Sequence, residues 1–271
     1  EIILPDPHYA CYPNFIRFFA GVPVPVRTAE AEGFQLDPDA VRARITPRTR
    51  AILFNSPANP TGAVLSADRL QALATLGLPM ISDEVYHGLV YEGEARSALE
   101  FSENAMVVDG FSKLYAMTGW RLGYLIVPPD TLRTVQKLQQ NFFISPNSFV
   151  QWGGVAALRE AGPDVARMRA TYARRRPVLI EGLRRLGFGV AVPPTGAFYV
   201  FANARHLDAD SNRLAFELLE QARVGVTPGV DFGEGGEGCL RFSYAASEDR
   251  IREGLARLEA YLTRRGAGRS P

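Results

Sequence analysis

The chain has only two cysteines, Cys11 and Cys239. They have no metal-ligand spacing, and two are too few for a disulfide framework in 271 residues. Cysteine usage of this kind suggests a reducing cytoplasm, and no metal site is expected. An excess of charge of one sign is also missing. Thirty basic and 29 acidic residues leave a net charge of +1, so no global field favours nucleic acid or an anionic membrane. The triplet Arg174-Arg175-Arg176 then reads as the solvated face of a helix. No apolar run approaches the roughly 20 residues of a membrane helix. The first residues carry no signal-peptide pattern, and the chain has no internal repeat and no low-complexity segment. With 46% hydrophobic and 22% charged residues, the composition is that of a soluble globular protein with a substantial core.

What is present is alternation. Arg50-Ala51-Ile52-Leu53-Phe54, Leu78-Pro79-Met80-Ile81-Ser82 and Ala105-Met106-Val107-Val108 are compact apolar runs, each read as a buried strand. Between them, residues 67–76 carry an apolar stripe at helical spacing behind Ser66, a good N-cap. Shorter helical patterns cover 14–20 and 39–45, and longer ones 130–140 and 148–159. Alternating strands and helices argue for an open α/β sheet with parallel strands, in which ligands bind beyond the carboxyl ends of the strands. The three strands end at Asn55–Asn59, at Asp83 and at Asp109–Lys113. Laid side by side, they bring an amide, a carboxylate and an amine together.

After a helix expected over 164–186 the alternation stops. Residues 188–192 and 196–201 read as paired strands, 212–222 as a helix, 239–244 as a further strand and 248–262 as a closing amphipathic helix. This suggests a large domain over residues 1–160 and a smaller α+β domain over 161–271, with a loose tail from 264 onward.

The stretch with most chemistry is Asp109-Gly110-Phe111-Ser112-Lys113, with Arg121 eight positions on. A lysine just past a strand end can have its amine partly shielded from water, which disfavours the ammonium form and favours a nucleophile. An arginine nearby offers a planar fork for a phosphate or carboxylate.

Four motifs carry a resemblance: Asn55-Ser56-Pro57-Ala58-Asn59-Pro60-Thr61-Gly62, Ser82-Asp83-Glu84-Val85-Tyr86, Phe111-Ser112-Lys113 with Met117-Thr118-Gly119-Trp120-Arg121, and Arg241-Phe242-Ser243-Tyr244-Ala245. In this order and spacing they resemble the class I/II aminotransferases, fold-type I enzymes that use pyridoxal 5′-phosphate (PLP). The resemblance covers nearly the whole chain. It implies an α/β fold with a mixed, mostly parallel sheet in a large domain and a smaller α+β carboxy-terminal domain. It also implies a homodimer and transfer of an amino group from an L-amino acid to a 2-oxo acid.

Residue by residue, Lys113 matches the lysine that forms a Schiff base with PLP and then moves the Cα proton. Asp83 matches the partner of the pyridinium nitrogen. Asn59 and Tyr86 match the groups that hydrogen-bond the phenolic oxygen. Tyr9 matches the aromatic that stacks on the ring, although an interfacial core tyrosine would look the same. Arg121 resembles the arginine of the cofactor phosphate, and Arg241 the one that takes the substrate α-carboxylate, beside Asn59. His8 and His87 adjoin site residues, and packing explains them equally well.

The sequence departs from the pattern in two places. Gly110 stands where the family often has a serine, and nothing before Tyr9 matches the hydroxyl-rich helix N-terminus that cradles the phosphate. The expectation is a chain without its amino-terminal segment. A PLP-dependent lyase or decarboxylase would need the same lysine, aspartate and arginines, and a non-catalytic sensing module could share the fold.

Overall fold

Strands covered on both faces need apolar side chains at every position, and Ala51-Ile52-Leu53-Phe54-Asn55 is such a run. All five of its residues are buried. In the computed structural model, which describes residues 1–267, this run is β3 (Ala51–Asn55), third strand of a six-stranded sheet. The others are β1 (Ile2–Asp6), β2 (Pro23–Arg27), β4 (Met80–Asp83), β5 (Ala105–Gly110) and β6 (Gly123–Ile126), in the order β2-β1-β3-β4-β5-β6. All neighbours are parallel except β5 and β6. The three strands expected to lie side by side do so.

β2 was not foreseen. Its sequence, Pro-Val-Pro-Val-Arg, carries prolines that cannot donate to a ladder. Such residues are tolerated at a sheet edge, and β2 is an edge strand. Helices α1 (Tyr12–Phe18), α2 (Pro38–Arg42) and α3 (Ala67–Ala74) connect the parallel strands. Ser66 caps α3 as expected, its hydroxyl accepting from Arg69 N at 3.3 Å. Leu70 and Leu73 of α3 pack with Ile52, Phe54 and Met80 in the core of this sheet.

Two longer helices, α4 (Pro129–Phe143) and α5 (Ser148–Glu160), follow β6, and α6 (Gly162–Arg185) leads to the second half. There β7 (Tyr199–Asn203), β9 (Cys239–Ser243) and the short β8 (Thr227–Pro228) form an antiparallel sheet in the order β7-β9-β8. Helices α7 (Ser211–Glu217) and α8 (Glu248–Ala267) complete it. Its own core joins Leu183, Val200, Leu214, Leu240, Tyr244 and Leu258. Among the described residues no helix is long and apolar enough to cross a membrane.

Two local expectations change. Residues 188–192 do not pair with 196–201. Among the described residues this segment bridges from Gly189 to Asn203, while Gly196 bridges to Val90. Pro193-Pro194 between the two runs removes two backbone donors and prevents a hairpin ladder. Part of the expected loose tail is helical. Arg264–Ala267 belong to α8, and Arg265 donates to Glu217, to the Tyr261 hydroxyl and to the Leu207 carbonyl. Residues 268–271 lie outside the described residues.

Candidate active site

Register brings the chemistry together. Asn55 lies opposite Asp83, and Asp83 opposite Val108, so β3, β4 and β5 end at one level. Asn55 locks the ends together: its Nδ2 donates to Asp83 O at 2.7 Å, and its Oδ1 accepts from Asn59 N at 2.7 Å. Beyond these ends is a cavity of about 330 Å³ lined by Tyr9, Asn55, Asn59, Asp83, Val85, Tyr86, Lys113, Tyr199 and Arg241. Six of the seven expected site residues therefore share one space, of a size usual for a small-molecule site.

Asp83 is held by two donors. Tyr12 OH donates to Oδ2 at 2.6 Å, and Val85 N to Oδ1 at 3.2 Å. Burial nevertheless pushes its pKa up, with the nearby Asp109 acting the same way, against those hydrogen bonds and the charge of Lys113. A carboxylate in this state is ionised more readily when a cationic N–H comes to it. Tyr12 was missed in the sequence: it lies three residues after Tyr9, and its partner is 71 positions away.

Lys113 sits in the turn after β5, where Ala116 N donates to its carbonyl at 3.2 Å. Its Nζ lies 5.7 Å from the centre of the Tyr86 ring and makes no hydrogen bond among the described residues. Desolvation lowers the pKa of the amine, and the charges of Arg241 and Arg121 lower it further, against Asp83. A half-buried amine pulled toward its neutral form is what a nucleophile and proton carrier needs.

Arg241 arrives from β9. Its Nη1 donates to Asn59 Oδ1 at 2.7 Å and its Nη2 to Thr227 Oγ1 at 3.0 Å. The rings of Tyr199 and Phe232 lie 4.5 and 4.9 Å from its Cζ, close enough for cation–π attraction. Because the Asn59 oxygen is engaged by Arg241, its amide nitrogen is left to donate into the cavity. The hydroxyls of Tyr86 and Tyr199 are 2.9 Å apart, across 113 residues of sequence. Only the fold makes Tyr199 visible as a site residue.

Arg121 is not brought into this cavity. It has a left-handed backbone (φ 56°), is exposed, and donates from Nη1 to Thr118 O at 3.0 Å. It lines a separate open cavity of about 830 Å³ with Trp120, Phe143 and Asn147. His8 is buried, with Nδ1 3.1 Å from Tyr9 O, and burial lowers its pKa.

His87 is fixed by two acceptors, Glu84 Oε2 at 3.0 Å from Nδ1 and Ala95 O at 2.9 Å from Nε2. Only the imidazolium donates from both nitrogens. The hydrogen bond to Glu84 raises the His87 pKa against desolvation, and the carbonyl of Ala95 and the charges of Glu84 and Asp109 act in the same direction. Glu100 also faces this charge. On Glu84, burial opposes ionisation, but hydrogen bonds from His87, Ala98 N, Ser82 and Ser97 outweigh it and lower its pKa.

A histidine with a raised folded-state pKa contributes stability that is complete below its unfolded value of about 6.5. That stability is lost as pH rises through the folded value. The melting temperature should therefore fall from about pH 6.5 upward more steeply in the parent protein than in His87→Gln. Parallel profiles of the two proteins would show that the ion pair adds nothing.

Residues 1–258 match the aminotransferase class I and II family. The chain is a member of that family. This class I/II aminotransferase is 42% identical over 272 residues to the aspartate/prephenate aminotransferase of Thermus thermophilus, covering 97% of this chain and 70% of the relative. It is 39% identical to a valine–pyruvate aminotransferase of Mycobacterium tuberculosis, with 97% and 69% covered. Its fold superposes on an aromatic aminotransferase from Pyrococcus horikoshii with a TM-score of 0.94 at 36% identity, over 98% of this chain and 74% of that one. The aminotransferase is thus a PLP-dependent transaminase of the α/β fold expected. The lyase and decarboxylase alternatives are not favoured by these relatives.

The cavity fits PLP on its donor set alone. A buried carboxylate short of positive charge, a depressed amine, a free amide N–H and a tyrosine hydroxyl converge there. They match a ring N–H, an aldehyde and a phenolic oxygen.

Proposed function

We propose that the cavity at the ends of β3, β4 and β5 is where this chain moves an amino group from an L-amino acid to a 2-oxo acid by a ping-pong mechanism. The observation that carries the reading is the meeting of the Lys113 amine and the buried Asp83 carboxylate in one cavity with Arg241. Bound PLP supplies an electron sink for the bonds at the substrate Cα.

The chain supplies the rest. Lys113 Nζ would hold the cofactor at its aldehyde and, once released, would carry the proton at the substrate Cα. Asp83, braced by Tyr12, would hold a proton at the ring nitrogen. Asn59 Nδ2 and the Tyr86 hydroxyl would donate to the phenolic oxygen, and the Tyr9 ring would stack on the cofactor. Arg241 takes the substrate α-carboxylate as a fork, oriented by Asn59 and Thr227. Arg121 would be the cation for the phosphate, as its motif implies.

The proposed units are a large part over residues 1–160 and a small part over 161–271, a division that two separate sheets support, with the site between them. Approach of the small part would carry Arg241 inward and exclude water. The working form is a homodimer in the cytoplasm. In support of the dimer, Phe142, Ile144, Phe149 and Trp152 around α4 and α5 are 62–82% exposed, an apolar face that association would bury.

The test is a panel of L-amino acids offered to the PLP-loaded protein with a 2-oxo acid acceptor. One new 2-oxo acid should form for each acceptor aminated, with the donor carbon skeleton intact. Ammonia or carbon dioxide in place of a new amino acid would refute transamination by this site.

A further inference from the structure

The segment between β8 and β9 is where the three-stranded sheet meets the end of β1. Asp6, the last residue of β1, has a side chain only 8% exposed. Its carboxylate accepts a single backbone donor, Gly235 N, at 2.8 Å to Oδ1 and 2.9 Å to Oδ2. Next to it, His8 N donates to Phe232 O at 2.8 Å. Arg27 Nη1 stands 3.6 Å from Asp6 Oδ2, but its side chain is 60% exposed, so screening weakens that pair.

Two glycines make the contact possible. A Cβ on Gly235 would lie 2.7 Å from both the backbone oxygen and Oδ1 of Asp6, and one on Gly233, at φ +107°, would lie 2.3 Å from Oδ1. Phe232 stands directly before Gly233, is 2% exposed, and its ring is one of the two packed on the Arg241 guanidinium. Asp6 itself does not line the Lys113 cavity. A buried carboxylate is a costly way to hold one loop unless its bond is strong and the loop's position matters.

We propose that Asp6 is a positioning residue for substrate binding. It tethers the 229–236 loop to the end of β1, and through Phe232 this fixes the orientation of the Arg241 fork. The proposal rests on the reading of Arg241 as the α-carboxylate site. Loss of the tether leaves the cofactor residues in place and loosens only the group that recognises the carboxylate.

The experiment compares Asp6→Ala, Asp6→Asn, Phe232→Leu and Arg241→Leu in the PLP-loaded protein. Asp6→Ala should raise KM for amino acid and 2-oxo acid about 10-fold, with kcat changed by less than about 2-fold. The visible absorption of the bound cofactor should not change. Asp6→Asn keeps an acceptor oxygen and should restore KM to within about 3-fold of the parent. A primary amine without a carboxylate should react equally with the parent and Asp6→Ala. Phe232→Leu should show the same rise in KM, and it reads the same link if Asp6→Ala folds poorly.

Unchanged KM in Asp6→Ala or in Phe232→Leu overturns the tether. Equal losses for donors with and without a carboxylate overturn it too. If Arg241→Leu raises KM while the Asp6 and Phe232 variants do not, the tether alone fails. If Arg241→Leu itself leaves KM unchanged, the reading of Arg241 fails and the tether with it.

Discussion

Lys113→Ala is expected to lower kcat for transamination by about 10⁴-fold, near the upper end of what a positioned acid–base group contributes and equivalent to about 5.5 kcal/mol. No nearby side chain can take over. The chain has one other lysine, Lys137, which lies on α4 and does not line the cavity. The charge of Lys113 is needed less than its loss of charge: desolvation and the field of Arg241 pull its pKa down from the ordinary lysine value, so the neutral amine is available nearer physiological pH. Lys113→Arg should therefore rescue nothing, because a guanidinium does not give up its proton in a protein. Single-turnover rates of the pre-formed amino and oxo forms would measure both variants. A Lys113→Ala protein within about 10-fold of the parent would remove Lys113 from the proton transfer.

Arg241→Leu is expected to reduce kcat/KM for amino acids and 2-oxo acids by about 10³-fold, or about 4 kcal/mol, the scale of leaving a buried carboxylate without its charged partner. The loss should fall on donor and acceptor alike, because both carry the same α-carboxylate. Arg241→Lys should recover only part of it. An ammonium cannot offer two parallel N–H bonds, and it cannot hold Asn59 Oδ1 and Thr227 Oγ1 while also facing a carboxylate squarely. Steady-state kinetics against both substrates would measure this. A change confined to one of the two would contradict a shared carboxylate site.

What could be seen in the sequence follows from how local each signal is. The ends of β3, β4 and β5 were legible because buried parallel strands spell themselves out as apolar runs that stop at polar residues. Once those strands are neighbours, Asn59, Asp83 and Lys113 must meet. The Arg241 position was legible only through the resemblance, since nothing local to β9 says what its side chain faces.

Contacts that span the chain were not legible. Tyr12 reaches Asp83 across 71 residues, Tyr199 reaches Tyr86 across 113, and Gly235 reaches Asp6 across 229. Each is decided by packing of distant elements. β2 has no clear signal in sequence because its prolines cannot donate to a ladder, a restriction that matters less at a sheet edge. Arg121 shows the converse limit. Its motif is intact, yet its guanidinium turns to Thr118 and a separate cavity, and sequence spacing carries no information about that turn.

The most direct test of the site uses the scarcity of lysine. The PLP-loaded protein is reduced with borohydride, which makes the lysine–cofactor linkage permanent, then digested and mapped by mass spectrometry. With only Lys113 and Lys137 available, the cofactor mass should appear on the peptide that contains Lys113 and on no other. Cofactor on the Lys137 peptide, or on none, would contradict the placement of the active site at the ends of β3, β4 and β5.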